Sequence, residues 1–282
     1  MSTLCWQTAR FRIALDRPKV MGIVNVTPDS FSDGGRHAEE DAAKRHCDAL
    51  VAEGADILDI GGESTRPGSG TPDLAEELRR VLPVVRHAVT LGVPVSVDTS
   101  RPEVMAAALE AGADIVNDVR ALQRPGAVAA VAAHGNAGVC LMHMQGEPGT
   151  MQAAPHYDDV VNDVRRFLAE RLAVLAAAGV AAERVVLDPG IGFGKTPQHN
   201  LQLAARQREL LALGRPLLLG WSRKSTLGVV TGRPVAERLP ASLAAALSAV
   251  VHGAAVLRVH DVGATVDALK VWRAIDEAGA AT

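Results

Sequence analysis

Eight short apolar runs recur along the chain, and each has a polar or charged residue at its end or within two residues of it. They cover 20–25 (VMGIVN), 57–60 (ILDI), 93–98 (VPVSVD), 115–118 (IVND), 138–142 (GVCLM), 185–188 (VVLD), 216–220 (PLLLG) and 256–259 (VLRV). A strand with one wet face alternates apolar and polar residues. These runs do not alternate, so both faces must be covered, as in a parallel sheet wrapped by helices. Helical patterns fill the gaps at 38–53, 72–91, 101–111, 157–179, 198–213 and 262–278. Gly54 and Gly112 follow helix ends, and Pro102 suits a first helical turn. Eight β-then-α units with right-handed crossovers close into a (β/α)8 TIM barrel, with an open doubly wound sheet as the rival. The 282 residues suit one such domain. The spacing predicts a barrel over 18–282 and an N-terminal segment, 1–17, packing on it. Within that segment FRIAL is read as one strand of a hairpin that plugs the barrel floor.

Hydrophobic residues at 48% and charged residues at 22% exclude a disordered chain. Lys+Arg at 29 against Asp+Glu at 32 offers no basic surface for nucleic acid or anionic membrane, and 3% aromatics cannot build a base-stacking platform. No run is long enough for a membrane span, and the N-terminus lacks the apolar core of a signal peptide. Cys5, Cys47 and Cys140 form neither a CxxC pair nor a zinc spacing, which predicts reduced thiols in a cytoplasmic protein.

In a barrel of this kind the chemistry collects at the C-terminal ends of the strands. Those ends carry Asn25, Asp59, Asp98, Asn117 with Asp118, Met142 with His143, Asp188, Ser222 with Arg223 and Lys224, and Arg258 with His260. Polar groups converging on a buried mouth are costly unless something satisfies them, so the mixture points to a flat heteroaromatic ligand carrying an anion. Asp98, Asn117 and Asp188 have the acceptors and the amide to read the amidine-like edge of a guanine or pterin ring. The alternative for each alone is a capped turn. GWSRKSTLG (220–228) is read as a helix start that binds an anion, with Arg223 and Lys224 reinforcing it. The loops NVTPDSFSDGG (25–35) and GGESTRPGS (61–69) are read as lids, in which Asn25, Asp29 and Asp33 could hold Mg²⁺ with a phosphate. DPGIGFGKT (188–196) has neither P-loop nor dinucleotide spacing. No histidine cluster suits a catalytic zinc, and no GxSxG elbow supports a serine hydrolase.

Eight of these segments occur in the order of a known family: MGIVNVTPDSFSDGG, DIGGESTRPG, VSVDTSRPEV, IVNDV, LMHMQGEPGTMQ, LDPGIGFGKT, GWSRKS and RVHDV. From about Val20 to His260 the chain resembles the dihydropteroate synthases of folate biosynthesis. The resemblance implies transfer of a dihydropterin-methyl group from its diphosphate to p-aminobenzoate, with sulfonamides as competitive inhibitors. It implies a pterin pocket of Asp98, Asn117, Met142, Asp188, Phe193, Lys224 and Arg258. It implies a diphosphate site of Asn25, Arg66, Arg258 and His260, with Mg²⁺ at Asn25, and an aminobenzoate subsite of Phe31, Thr65, Pro67, Ser222 and Lys224. Asp98, Lys224, Arg258 and His260 carry the chemistry in this reading. The family is usually dimeric, so a homodimer is expected, with the small-residue helix 241–255 offering a close-packing face. Trp221 and Thr226 depart from the smaller or more apolar residues expected there. Two rivals remain: a pterin-binding methyltetrahydrofolate-type methyltransferase, which should lack the SRKS and TRPG loops and need a corrinoid partner, and a non-catalytic pterin-binding paralogue, which should have lost a loop aspartate, Arg66, Lys224 or Arg258.

Overall fold

A computed structural model describes residues 4–27, 35–63, 72–147 and 149–280, with the side chains of 35–38 and 280 excepted. Two antiparallel strands come first, β1 (Cys5–Gln7) and β2 (Arg12–Ala14). Eight parallel strands follow: β3 (Lys19–Asn25), β4 (Ile57–Gly61), β5 (Val95–Asp98), β6 (Ile115–Asp118), β7 (Gly138–Met142), β8 (Val185–Asp188), β9 (Leu217–Leu219) and β10 (Ala254–Val259). They close in the order β10-β3-β4-β5-β6-β7-β8-β9, which is the (β/α)8 barrel and not the open sheet. The described helices are α1 (Gly35–Ala52), α2 (Leu74–Val89), α3 (Pro102–Glu110), α4 (Ala127–Ala133), α5 (Val160–Ala177), α6 (Pro197–Ala205), α7 (Ser225–Thr231), α8 (Leu239–Val251) and α9 (Val262–Ala280). Among the described residues no helix is long and apolar enough to cross a membrane.

The period of two along each strand sorts the side chains. Outward positions such as Val24, Leu58, Ile60, Val97, Val116, Leu141, Leu187, Leu219 and Leu257 join the helices in one large core. Inward positions Met21, Ile57, Ile115, Cys140, Val186, Leu218 and Val256 form a second, smaller core inside the barrel. Trp6 of β1 enters that inner core from below, fully buried, and its indole N–H donates to Arg184 O at 2.9 Å. The FRIAL hairpin therefore does plug the floor, through Trp6 on the facing strand with Ile13 and Leu15 beside it. Asp114 latches the hairpin in place. Its carboxylate accepts from Arg10 at 2.6 Å and 3.0 Å and from the Val95 N–H at 2.9 Å.

Three helix expectations change. The stretch 198–213 is two elements, because Arg206 leaves the α region (φ −108°, ψ 17°) and a 3-10 helix runs on over Gln207–Leu213. The turn lets buried Gln207 donate to Ala249 O at 2.9 Å. The helix placed at 241–255 spans Leu239–Val251, and Gly253 at φ +94° turns the chain so that Ala254 and Ala255 start β10. The stretch 157–179 starts only at Val160, where Asp159 caps it by accepting from the N–H groups of Val161 and Asn162.

Replacing Trp6 removes the largest fully buried side chain of the floor. Trp6→Ala should lower unfolding free energy by about 3–5 kcal/mol, measured by urea denaturation. A loss below about 1 kcal/mol would show that the barrel closes its own floor.

Candidate active site at the barrel mouth

Two residues beyond the inner apolar layer, the same inward parity places Asp59, Asp98, Asn117, Met142, Asp188 and Arg258 on six strands. The register sets them level: Asp98 is paired with Asn117 and Met142 with Asp188. Parity thus makes the inner face apolar below and ionic above.

The cation of Arg258 organises the upper layer. Its Nε donates to Asp59 Oδ2 at 2.6 Å, and one terminal nitrogen donates to Asp98 Oδ2 at 2.7 Å. Asn117 Nδ2 donates to the same Asp59 Oδ2 at 3.1 Å. Asp59 is fully buried, and its Oδ1 has no hydrogen-bond partner among the described residues. Sequence reasoning noticed Asp59 at a strand end and gave it no role; here it holds both Arg258 and Asn117. Asp118, by contrast, has the outward parity. It accepts from Ser100 Oγ at 2.5 Å and from the N–H groups of Arg120 and Leu122, so it shapes the loop after β6 behind the mouth.

Asp188 is buried, and its Oδ1 accepts from the Gly190 N–H at 2.7 Å. Lys224 faces it electrostatically, donates to Ile191 O, and lies with its ammonium 4.8 Å from the centre of the Phe193 ring. Ser222 Oγ accepts from the His260 N–H at 3.2 Å and lies 3.0 Å from His260 Nδ1, so these two expected ligand contacts touch each other. Arg223 does not reinforce the mouth. At φ +60° it turns outward to Asp261, with one bond of 2.5 Å, while its N–H donates to Ser242 Oγ. The anion-binding helix start expected at 220–228 shrinks accordingly, to a helix of only seven residues. Asn25 ends β3 beside Gly61. Asp29, Phe31, Asp33, Thr65, Arg66 and Pro67 lie outside the described residues.

Burial tunes these groups toward neutrality. It pushes the Asp98 carboxyl up to about 7, with Arg258 pulling it down and Asp59 adding to the rise. It raises Asp188 too, against the pull of Lys224. It lowers Lys224 to about 8, against the pull of Asp188. It also works against the charge of Arg258, but Asp59 and Asp98 outweigh it and raise that group. A carboxyl pushed toward neutrality beside a permanent cation, among converging strand-end groups, marks a ligand-binding centre.

Acids, an amide and cations gathered at the strand ends of a (β/α)8 frame stand where enzymes of this fold carry their active sites. The profile of the family described as pterin binding enzyme matches residues 21–260, and the chain belongs to that family. The dihydropteroate synthase of Neisseria meningitidis serogroup B is 53% identical over 281 residues, covering 98% of this chain and 99% of the relative. The Xanthomonas albilineans dihydropteroate synthase, solved with 4-aminobenzoic acid, superposes with a TM-score of 0.92 at 52% identity, over 98% and 99% of the two chains. The Yersinia pestis dihydropteroate synthase, solved as a sulfonamide drug complex, gives 0.91 at 46% identity, over 97% and 99%.

The tuning of Asp98 has a measurable sign. The ionised form accepts two N–H bonds, whereas the protonated form gives up an acceptor, so pterin affinity should be low below about 7 and rise as pH passes through it. Titration calorimetry across the neutral range should show that rise, and Asp98→Asn should flatten it. A wild-type affinity that fell over the same range would contradict the assignment.

Proposed function

We infer that the chain is a transferase, a dihydropteroate synthase that joins the methylene carbon of a dihydropterin-methyl diphosphate to the amino nitrogen of p-aminobenzoate and releases diphosphate. The observation that carries this reading is the ionic layer of Asp98, Asn117, Asp188, Lys224 and Arg258 assembled on one barrel mouth. Its relatives of more than half identical sequence are dihydropteroate synthases. The mouth suits the reaction because every charge the reaction develops has an opposite charge nearby.

Asp188 and Asp98 accept N–H groups of the pterin edge, and Asn117, held by Asp59, offers both an acceptor and a donor to the ring. Met142 and Phe193 supply apolar walls. As the carbon–oxygen bond to diphosphate lengthens, positive charge spreads into the conjugated ring, where the two carboxylates stabilise it. Arg258 spends one N–H on Asp59 and one on Asp98, and among the described residues its other three N–H groups are left to meet diphosphate. His260, oriented by Ser222, lies at the end of the same strand. The Lys224 ammonium positions the ring and takes no proton from the amine. The aniline nitrogen loses its proton after the new bond forms, so no strong base is required.

Among the described residues no group of three His, Cys, Asp or Glu side chains suits a metal ion. Asn25, at the end of β3, offers one amide oxygen, a hard donor that suits Mg²⁺ carried by the diphosphate oxygens, since Mg²⁺ commonly keeps few protein ligands. When bound, the ion would neutralise the leaving diphosphate. The aminobenzoate subsite, including Phe31, Thr65, Pro67 and Ser222, and sulfonamide competition at it belong to the same proposal. So do a cytoplasmic location and a homodimer built on neighbouring helices, where Val229, Val230, Val251, Val271 and Ile275 stand exposed.

Diphosphate release by the purified chain should require both the dihydropterin diphosphate and p-aminobenzoate, and a sulfonamide should raise the KM for p-aminobenzoate without lowering kcat. Release with no dependence on p-aminobenzoate would refute the reading. In the same chain Asp188→Asn should cost about 3 kcal/mol of pterin binding, because an amide offers mismatched donors to the ring N–H groups. A change below threefold by calorimetry would contradict that role.

A further inference from the structure

The segment DPGIGFGKT (188–196) belongs to no phosphate-binding motif, yet it contains the most tightly constrained backbone at the mouth. Gly190, Gly192 and Gly194 all have positive φ, at 69°, 82° and 59°. A Cβ on Gly190 would overlap His143 O, and one on Gly194 would overlap Gln145 O, so this loop is packed backbone to backbone on the loop after β7. Only glycine allows such an approach. A Cβ on Gly192 would lie 3.1 Å from Lys224 Cδ, so the middle glycine of the three is the one that meets the site.

Lys195 closes this segment and is 2% exposed. Its amine contacts Gly190 O at 2.9 Å, Phe193 O at 3.0 Å, His143 O at 3.3 Å and His143 Nδ1 at 2.9 Å. These partners are three carbonyls and an imidazole rather than a carboxylate, so burying the lysine is expensive for what it returns in stability. What the contacts do is join the loops after β7 and β8 at one nitrogen. Two of the carbonyls, Gly190 and Phe193, bound the stretch 190–193, whose Ile191 carbonyl and Phe193 ring hold Lys224. The His143 ring is wedged by Phe167 at 4.9 Å, edge to face, so the partner on the other side cannot drift.

We propose that Lys195 is a positioning residue for the pterin subsite: its buried amine locks the loop after β8 so that the Ile191 carbonyl and the Phe193 ring hold Lys224 against the ligand. This rests on the pterin reading of the mouth. Lys195 itself touches no substrate in this scheme; it acts through Lys224. Gln152 and Asn200 also tie Gly192, through its carbonyl and its N–H, and Tyr157 ties Gly194 O, but among the described side chains it is Lys195 that joins Gly190 to Phe193.

The test is the affinity of 6-hydroxymethylpterin, by calorimetry, for wild type, Lys195→Met, Lys224→Met and the double variant, each shown to be folded by circular dichroism. Lys195→Met should weaken binding at least tenfold, and the double variant should bind within threefold of Lys224→Met alone. A merely structural lysine would lower the melting temperature without that non-additivity. Folded Lys195→Met binding within twofold of wild type, or losses that multiply in the double variant, would overturn the proposal. Should Lys195→Met not fold, Gly192→Ala decides: a locked loop must push Lys224 and weaken binding at least fivefold, whereas affinity within twofold of wild type refutes the lock. A wild-type chain that binds no pterin would refute the functional reading and the proposal with it. Wild-type binding with both variants unaffected would refute the proposal alone.

Discussion

The guanidinium of Arg258 lies between two carboxylates, Asp59 and Asp98, on strands β4 and β5, two and three places around the barrel from its own. Without it the mouth would hold three acids, Asp59, Asp98 and Asp188, in a space that water reaches poorly, and such a cluster would neutralise itself by taking up protons. With it the layer is held together and keeps charge available for a ligand. The bond to Asp59 also indirectly fixes Asn117, which shares the same carboxylate oxygen. One cation therefore sets the orientation of two pterin-facing groups, Asp98 and Asn117, and the charge of the first.

This arrangement depends on strand parity. Because side chains alternate, an inner face that is apolar at Met21, Ile57, Ile115 and Val256 becomes the ionic face two residues later, with no change in backbone geometry. The floor must then be sealed from below, and Trp6 seals it. A dry lower layer is also what makes the upper layer responsive. Burial, more than any neighbour, raises Asp98 and lowers Lys224, bringing both toward neutral pH. Stability and site chemistry are thus one packing problem solved at adjacent levels of a single barrel.

The strands were legible in the sequence because doubly covered strands are uniformly apolar and end at a polar residue. Asp98, Asn117, Asp188 and Arg258 follow from that rule together with the barrel's known polarity. Asp118 illustrates its limit, since a neighbour one residue away has opposite parity and faces the helices. Arg223 fails for a different reason: a positive φ is invisible in a basic helix start. Asp59 and Lys195 were hidden because their partners are 199 and 52 residues away in sequence, so only the closed barrel brings them together. The break at Arg206 was hidden too, because an apolar period persists through a 3-10 turn.

The central claim is that Arg258 keeps the Asp98 carboxyl ionisable in a buried mouth. Carbon-13 NMR titration of aspartate-labelled protein tests it most directly, comparing wild type with Arg258→Met. The wild-type Asp98 carboxyl should titrate near 7, and removing the guanidinium should move it upward. An Asp98 titration that stayed in place or moved downward in Arg258→Met would contradict the account.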